Sequence, residues 1–176
     1  MSTTTIRQVP TGTYNIDPVH STVGFTVTHN AVSKFRGQFE QVDAKLDDGT
    51  LVGTAQVDSV KTAIPDLKGH LLSPDFFNAA ETPTITFRSN DIRVDEDGRV
   101  EVAGELTIRG ITKAVTANGS FASGVGISGA EVVGFDLEAT VDRRDYGLSW
   151  QAQLPKGGDV LGWDVTLQVH LELAKA

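Results

Sequence analysis

The sequence Trp163-Asp-Val-Thr-Leu-Gln-Val-His-Leu-Glu-Leu173 alternates apolar and polar side chains from end to end. Successive side chains of a β-strand point to opposite faces, so this pattern predicts a strand with one buried face and one solvated face. A chain dominated by such runs is predicted to be all-β and to close as a sandwich or a barrel. The same alternation recurs upstream at residues 21–29, 51–58, 84–89, 100–109, 115–121 and 133–142.

The segments between these runs carry residues that favour turns. Asp47-Asp-Gly49 and Asp95-Glu-Asp-Gly98 combine Asp with Gly, and both residue types accept a positive φ. Arg109-Gly110 and the Gly-rich Ser123–Gly129 are further candidate turns. The strands are therefore predicted to be antiparallel neighbours, joined mostly by short connections.

One further strand changes face along its length. Its apolar residues share one parity from Phe35 to Phe39 and the opposite parity from Val42 to Leu46. A shift of one residue indicates a bulge, which bends a long strand at the corner of a barrel. With this strand the pattern amounts to about eight strands, and an eight-stranded barrel is either filled by side chains or holds one small ligand.

The alternation is lost in the segment Ile64-Pro-Asp-Leu-Lys-Gly-His-Leu-Leu-Ser-Pro-Asp-Phe-Phe-Asn78. Ser73 followed by Pro74 resembles a helix start, with Ser as the cap and Pro at the first position. We therefore predict a helical insertion of one or two turns, whose apolar residues line or plug one end of the barrel.

Length and composition limit the classes of function. The chain has 176 residues, is 39% apolar and 22% charged, and carries a formal charge of −8 with no cysteine. These values predict one globular domain, without disulfides or thiolate metal sites. An acidic surface repels phosphate backbones, so nucleic acid is not an expected partner. We expect residues 1–11 to be a flexible segment and residues 12–176 to form the domain.

The polar start of the chain, residues 1–12, lacks the features of a secretory signal, and no stretch is apolar enough for a membrane-spanning helix. These features predict a cytoplasmic location.

Motifs in a fixed order along the chain resemble those of the YceI-like family. They cover the chain from about Gly12 onwards, and several ordered motifs are more specific than any one of them. The motifs are Tyr14–Ser21 followed by Phe25 and His29; Ser59–Thr62 leading to His70–Phe77; Thr82–Phe87; Gly104–Lys113; and Arg143–Gly147. The family often has an Arg-Asp pair where this chain has Leu67 and Lys68.

The resemblance implies an extended lipocalin-like barrel with a long hydrophobic pocket. Family members bind polyisoprenoid chains such as isoprenoid quinones, some are dimers, and the family is often linked to stress. We accordingly expect a non-enzymatic protein that carries, stores or sequesters an isoprenoid-type lipid, with transient membrane contact, a homodimer as a possible assembly, and no cofactor. Two alternatives stay open: an enzyme that uses His29 as acid or base, and a filled barrel that acts through protein contacts.

Histidine spacing does not predict a metal site. His20 and His29 are nine residues apart, so on an unbroken strand they face opposite sides, whereas two ligands on one strand should be two apart. The neighbours His20 and Ser21 face opposite sides for the same reason, so a hydrolytic triad with Asp17 is disfavoured.

Arg143, Arg144 and Asp145 follow a strongly alternating strand. They are interpreted as a salt-bridged corner with Tyr146 packed and Gly147 in a turn, the alternative being a charged rim that selects a head group.

The residues expected to line the interior and bind the ligand are mainly the apolar members of the alternating strands, together with His29 and the apolar residues of the insertion. No catalytic or metal-binding residue is predicted. The predicted ligand-binding residues are Val23, Phe25, Val27, His29, Phe35, Phe39, Leu71, Phe76, Phe77, Ile85, Phe87, Val102, Leu106, Phe135, Leu137, Leu167 and Val169.

Overall fold

The computed structural model describes residues 8–176, so most of the predicted flexible segment, residues 1–7, lies outside the described residues. Val9, in the same segment, is buried against the core. The strands are β1 (Thr13–Ile16), β2 (Thr22–His29), β3 (Ser33–Phe39), β4 (Val42–Asp47), β5 (Thr50–Gln56), β6 (Val60–Lys61), β7 (Thr84–Val94), β8 (Arg99–Ile108), β9 (Ile111–Val125), β10 (Glu131–Asp142) and β11 (Leu161–Lys175), with one helix, α1 (Pro65–Leu72).

The strands close into an antiparallel barrel because β1 pairs with both β4 and β11. A 3₁₀ turn at Pro18–His20 separates β1 from β2, and both strands pair with β11, so they occupy one position in the barrel. β3 and β4 share the next position in the same way. Together with β5, β7, β8, β9, β10 and β11 they make eight positions. The prediction of an all-β, eight-stranded antiparallel barrel with a helical insertion is thereby confirmed.

Two of the predicted turns have the backbone of a tight hairpin. Asp48 and Gly49 have φ values of 46° and 87°, and Arg109 and Gly110 have 54° and 74°. Positive φ at both central residues defines the turn whose twist matches that of the flanking strands. These turns join β4 to β5 and β8 to β9, which sets the register of both pairs.

The predicted change of face lies between β3, which ends at Phe39, and β4, which begins at Val42. A residue outside β3 and β4 fixes the backbone between them: the Gln41 N–H donates a hydrogen bond to Ser59 Oγ at 3.0 Å. Phe39 and Val42 both face the interior, so the break keeps apolar side chains inward on each side of it.

The helix of the insertion begins earlier than predicted. Pro65 occupies its first turn, and Ser73 is the residue at its C-terminal end rather than its N-terminal cap. The sequence interpretation was wrong because Ser-Pro also ends helices: the proline ring disfavours helical backbone at the preceding residue, and Ser73 has ψ 168°. The Ser73 hydroxyl donates to the His70 carbonyl at 2.6 Å. No helix in residues 8–176 is long and apolar enough to cross a bilayer.

The barrel is filled at one end and open at the other. On the inner face of β11, Leu171 and Leu173 are buried, whereas Val165, Leu167 and Val169 are only half-buried. One apolar cluster, which includes Leu46, Val133 and Leu173, packs the filled half. A second cluster, around Phe25, Phe39 and Phe77, surrounds the hollow half.

Candidate ligand-binding cavity

The hollow half contains a cavity of about 370 Å³ with almost entirely apolar walls. On β2 the lining runs from Val23 to His29, six residues further along, which corresponds to about 20 Å at the usual rise of a strand. Inward side chains such as Leu167 are half-buried because they face this space rather than one another. The space is therefore elongated, and its volume is within the range typical of ligand pockets, roughly 300–1,000 Å³.

The residues predicted from the sequence line this cavity, with the exception of Phe135. Phe135 lies on the same face of β10 as Leu137, but nearer the filled end, where it is 1% exposed and packs against the ring of Phe121 at 5.0 Å between centroids. Alternation identifies the inward face of a strand and not the depth at which the barrel becomes hollow. The predicted residues that line the cavity are Val23, Phe25, Val27 and His29 from β2; Phe35 and Phe39 from β3; Leu71, Phe76 and Phe77 from the insertion; Ile85 and Phe87 from β7; Val102 and Leu106 from β8; Leu137 from β10; and Leu167 and Val169 from β11.

Sequence reasoning missed a further part of the wall. Ala139, Val141 and Val165 line the cavity and have the same parity as predicted residues of their strands, so the alternation contained that signal. Trp150 also lines it, but lies in the irregular segment between β10 and β11, where no period marks an inward side chain.

Aromatic packing attaches the insertion to the barrel. The ring of Phe77 lies 6.2 Å from Phe25 and 5.9 Å from Phe39, and the two strand phenylalanines are 5.8 Å apart. Edge-to-face and tilted pairs at these distances add about 0.5–1.5 kcal/mol each to the area that they bury. The insertion is thus a fixed part of the cavity wall.

Two histidines lie in the wall towards the open end. His70 Nε2 is 3.1 Å from Asp75 Oδ2, and its ring packs edge-on against Trp150 at 5.2 Å. His29 is exposed at the end of β2 and has no side-chain hydrogen bond to the described residues. His29 both lines the cavity and is exposed at the end of β2, so the hollow half reaches the protein surface beside the turn between β2 and β3.

Arg143 forms a clasp in the cavity wall. The residue is 4% exposed. Its guanidinium donates to the carbonyls of Gly162, Leu148, Trp150 and Leu161 at 2.7–3.3 Å and lies 4.2 Å from the centre of the Trp163 ring. The bonds join the start of β11 to the segment that precedes it.

The neighbouring Arg144 points outward and pairs with Asp142 at 2.6 Å, and Gly147 has φ 74°. These contacts agree with the corner predicted from the sequence.

Tyr146 is a buried polar residue in the same wall. It is 1% exposed, and among the described residues its hydroxyl has no hydrogen-bond partner. Burial raises the pKa of this phenol above its ordinary value, and the nearby Asp145 charge adds to the rise. A buried hydroxyl without a partner costs about 1–3 kcal/mol, so this group lowers the stability of the fold rather than adding to it.

Outside the barrel, Asp17, His20 and Glu172 come together, although the sequence separates them widely. His20 Nδ1 lies 2.8 Å from Asp17 Oδ2 and 3.4 Å from Glu172 Oε2. The hydrogen bond with Asp17 raises the pKa of His20, and the same bond lowers the pKa of Asp17. Ser21 instead exchanges hydrogen bonds with the backbone of Glu172, so no triad forms with His20.

The three side chains Asp17, His20 and Glu172 offer a group of potential metal ligands that spacing along the chain did not predict. Their contacts with one another account for the arrangement as an ion-paired link between β11 and the turn that precedes β2.

An eight-stranded antiparallel barrel with an apolar cavity and a helical insertion belongs to the lipocalin-like class of barrels. The chain is a member of the YceI-like family, whose domain model matches residues 14–173.

Relatives and solved structures agree with this assignment. A UPF0312 protein of Staphylococcus epidermidis is 33% identical over 171 residues, which are 92% of this chain and 96% of that protein. BcnA of Burkholderia cenocepacia has a similar fold, with a TM-score of 0.72, 22% identity, and coverage of 89% of this chain and 98% of that one. A polyisoprenoid binding domain from Saccharophagus degradans, implicated in plant cell wall breakdown, has a TM-score of 0.69 at 16% identity, covering 93% and 98% of the two chains.

Proposed function

We propose that the protein binds the chain of an isoprenoid-type lipid, a polyisoprenoid or an isoprenoid quinone, in the barrel cavity, and that it carries, stores or sequesters this lipid without chemical change. The observation that carries the proposal is the elongated apolar cavity, lined by half-buried side chains such as Leu167. The likeness to a polyisoprenoid binding domain supports the choice of ligand class.

The energetics of such a cavity favour a hydrocarbon chain. Each buried CH₂ group contributes about 0.8 kcal/mol, so a five-carbon isoprene unit contributes roughly 4 kcal/mol before the cost of ordering the chain. The fold itself forms the walls, and aromatic packing around Phe77 holds the insertion in place. A preformed site avoids part of the ordering cost on binding.

The mouth has features suited to contact with a membrane, from which an insoluble lipid has to be collected. Val32, at the tip of the turn between β2 and β3, is 88% exposed, and Ile64, at the start of α1, is 56% exposed. Lys34 lies beside this tip, so an apolar contact is combined with a positive charge that anionic lipid head groups attract. We therefore include transient membrane contact at this end in the proposal.

A catalytic alternative would need a positioned acid or base. His29 lies at the mouth without an orienting partner among the described residues, whereas a general base is normally held by a third group. The non-enzymatic proposal predicts that His29→Ala still binds the lipid and that the extracted lipid is chemically unchanged. A new product formed by the wild type and not by His29→Ala would favour the enzyme.

The experiment that tests the function is native mass spectrometry of the purified protein, followed by organic extraction and identification of the lipid. A stoichiometric adduct on the 18.8 kDa chain, extracted as an isoprenoid, is the expected result. The same spectra report whether the chain is a dimer. A clean apo mass with no uptake of added isoprenoid quinone would refute the proposal.

A matched pair of variants locates the ligand. Ala139 faces the cavity and Thr140, the next residue of β10, faces solvent. Ala139→Phe fills the cavity and is expected to weaken lipid binding at least about tenfold, whereas Thr140→Phe leaves it unchanged. Equal binding by both variants would place the ligand outside the cavity. The cytoplasmic location stays a prediction from the sequence, and the link to stress stays what the resemblance to the YceI-like family implies.

A further inference from the structure

Five buried residues belong both to the cavity wall and to the packed cluster of the filled half. They form the boundary between the two halves, which we call the floor of the cavity. The floor consists of Ala44, Leu51, Val102, Leu137 and Leu171. Because these side chains contact the hollow space on one side and packed side chains on the other, the cavity has a definite end inside the barrel.

The space below the floor is closed by tight packing. On β10 the lining ends at Leu137, and the next inward residue, Phe135, is 1% exposed and packs against Phe121. On β11 it ends at Leu171, the cross-strand partner of Phe135, and the next inward residue, Leu173, is fully buried. A well-packed interior accepts additional methylene groups only at a cost in free energy, so a ligand chain is expected to stop at this depth.

The register of β2 and β11 gives the depth of the floor below the mouth. His29, at the mouth, lies six residues from Val23, which pairs with Val169, and Leu171 follows two residues further along β11. Eight residues of strand measure about 26 Å, and the strands of a barrel tilt by roughly 40° from its axis. The cavity is therefore about 20 Å deep along the axis.

The dimensions of the cavity correspond to one extended isoprenoid chain. Each isoprene unit adds four main-chain carbon–carbon bonds of about 1.5 Å, which advance an extended chain by about 5 Å, so about four units span the depth. The volume of about 370 Å³ over this depth corresponds to a cross-section of about 20 Å². Since non-bonded carbon atoms approach to about 4 Å, such a section admits one hydrocarbon chain and not two side by side.

We propose that the floor limits the ligand to an isoprenoid chain of about four units, and that every further unit of a longer chain stays outside the mouth. This inference rests on the proposed lipid-binding function and adds a limit of length to it. A chain that fits exchanges the apolar interior of a membrane for the apolar cavity, whereas each protruding unit passes from lipid into water. The protein therefore collects short chains from a membrane and leaves long polyisoprenoids there.

Extraction from vesicles tests the limit. Phosphatidylcholine vesicles are loaded with one all-trans isoprenoid alcohol each: geraniol, farnesol, geranylgeraniol or hexaprenol, which have two, three, four and six isoprene units. The full chain is incubated with them and separated by flotation, and the alcohol bound to it is quantified by mass spectrometry. Farnesol and geranylgeraniol are expected to be extracted equally within about twofold. Hexaprenol is expected to be extracted at least about tenfold less, because about two of its units would be exposed to water.

A matched pair of variants raises the floor or leaves it unchanged. Ala117 lines the cavity on β9 opposite Val102, whereas Ala114 on the same strand is exposed on the outer face. Ala117→Leu adds apolar volume at the floor and is expected to reduce the extraction of geranylgeraniol at least about fivefold, while geraniol is extracted as before. Ala114→Leu should extract both alcohols as the wild type does.

A third variant lowers the floor. Leu171→Ala removes part of a floor side chain and should raise the extraction of hexaprenol relative to farnesol at least about threefold. Melting temperatures of the three variants report whether each is folded.

The outcomes separate this inference from the proposed function. If the wild type extracts none of the alcohols, the lipid-binding function fails. If it extracts hexaprenol as well as farnesol, only the limit of length fails. The limit also fails if folded Ala117→Leu keeps the wild-type preference or loses all the alcohols alike. Should Ala117→Leu not fold, Leu171→Ala decides, since a ratio of hexaprenol to farnesol no higher than that of the wild type would overturn the inference.

Discussion

The ring of Phe25 on β2 lies against the backbone of Gly37, its cross-strand partner on β3, so closely that a Cβ atom at position 37 would overlap the ring. The absence of a side chain at Gly37 thus allows a large aromatic residue to lie flat in the cavity wall. The same ring contacts Phe39 and Phe77, so this one pair connects the sheet to the helical insertion.

Gly37→Ala is therefore expected to destabilise the protein by about 2 kcal/mol, because the added methyl group displaces Phe25 from its packed position. Urea unfolding measures this change. Gly124→Ala on β9 is the matched control, since nothing lies within 4 Å of a Cβ atom there. Equal stability of the two variants would show that the Phe25 ring moves aside without cost.

Arg143→Lys is expected to lower the free energy of unfolding by about 3 kcal/mol, because an ammonium group cannot reach four carbonyls as the planar guanidinium does. Hydrogen exchange should rise in residues 148–162, the segment that the side chain holds. Arg144→Lys, next to it but outside the wall, should change stability by less than about 1 kcal/mol. Similar effects at the two positions would argue against the clasp.

The ion pair between His20 and Asp17 should make stability depend on pH. The folded pKa of His20 is raised above its ordinary 6.5, so its contribution is full below that pH and is lost as the pH rises through the folded pKa. The folded pKa of Asp17 lies below its ordinary 3.8, so its contribution is present above that value and is lost as the pH falls through the folded pKa.

His20→Gln should accordingly destabilise the protein more at about pH 5.5 than at about pH 8.5, as measured by denaturant unfolding at both pH values. In an Asp17→Asn background this difference should shrink, because the principal partner is absent. A pH dependence that is the same in both backgrounds would assign the effect to other groups.

Val32→Asp is expected to slow the transfer of isoprenoid quinone from vesicles that contain anionic lipid by at least about fivefold, since it places a negative charge at the exposed tip beside the mouth. Affinity for quinone already dispersed in detergent should be unchanged. Ile127→Asp is the control, because Ile127 is even more exposed than Val32 but lies in the turn between β9 and β10, at the opposite end of the barrel. Equal rates for both variants would exclude the tip as the contact.

The sequence was sufficient to predict the strands, their inward faces and most of the cavity wall, because each depends on neighbours along one strand. It was not sufficient to predict where the barrel is hollow. Leu167 and Leu171 have the same parity and the same residue type, yet one is half-buried and the other buried. The difference depends on which side chains of distant strands meet them across the barrel.

Local sequence patterns also could not predict contacts between distant parts of the chain. Glu172 approaches His20 only because β11 runs beside the turn that precedes β2. The motif was sufficient to place Arg143 and Tyr146 at a corner of the barrel. The carbonyls around Arg143 and the lack of a partner for the Tyr146 hydroxyl among the described residues depend on how the irregular segment before β11 folds, and no local pattern predicts that.

The barrel is divided into a filled half and a hollow half. This division separates the stability of the fold from the choice of ligand, two properties that compete in most binding proteins. Leu46, Val133 and Leu173 pack one end of the barrel, so the stability of the fold does not depend on what the cavity holds. Substitutions around Leu167 can then alter which molecule is accepted while the fold tolerates them. Under the proposed lipid-binding function, a barrel built in this way can change its ligand over evolutionary time while the packed half stays the same.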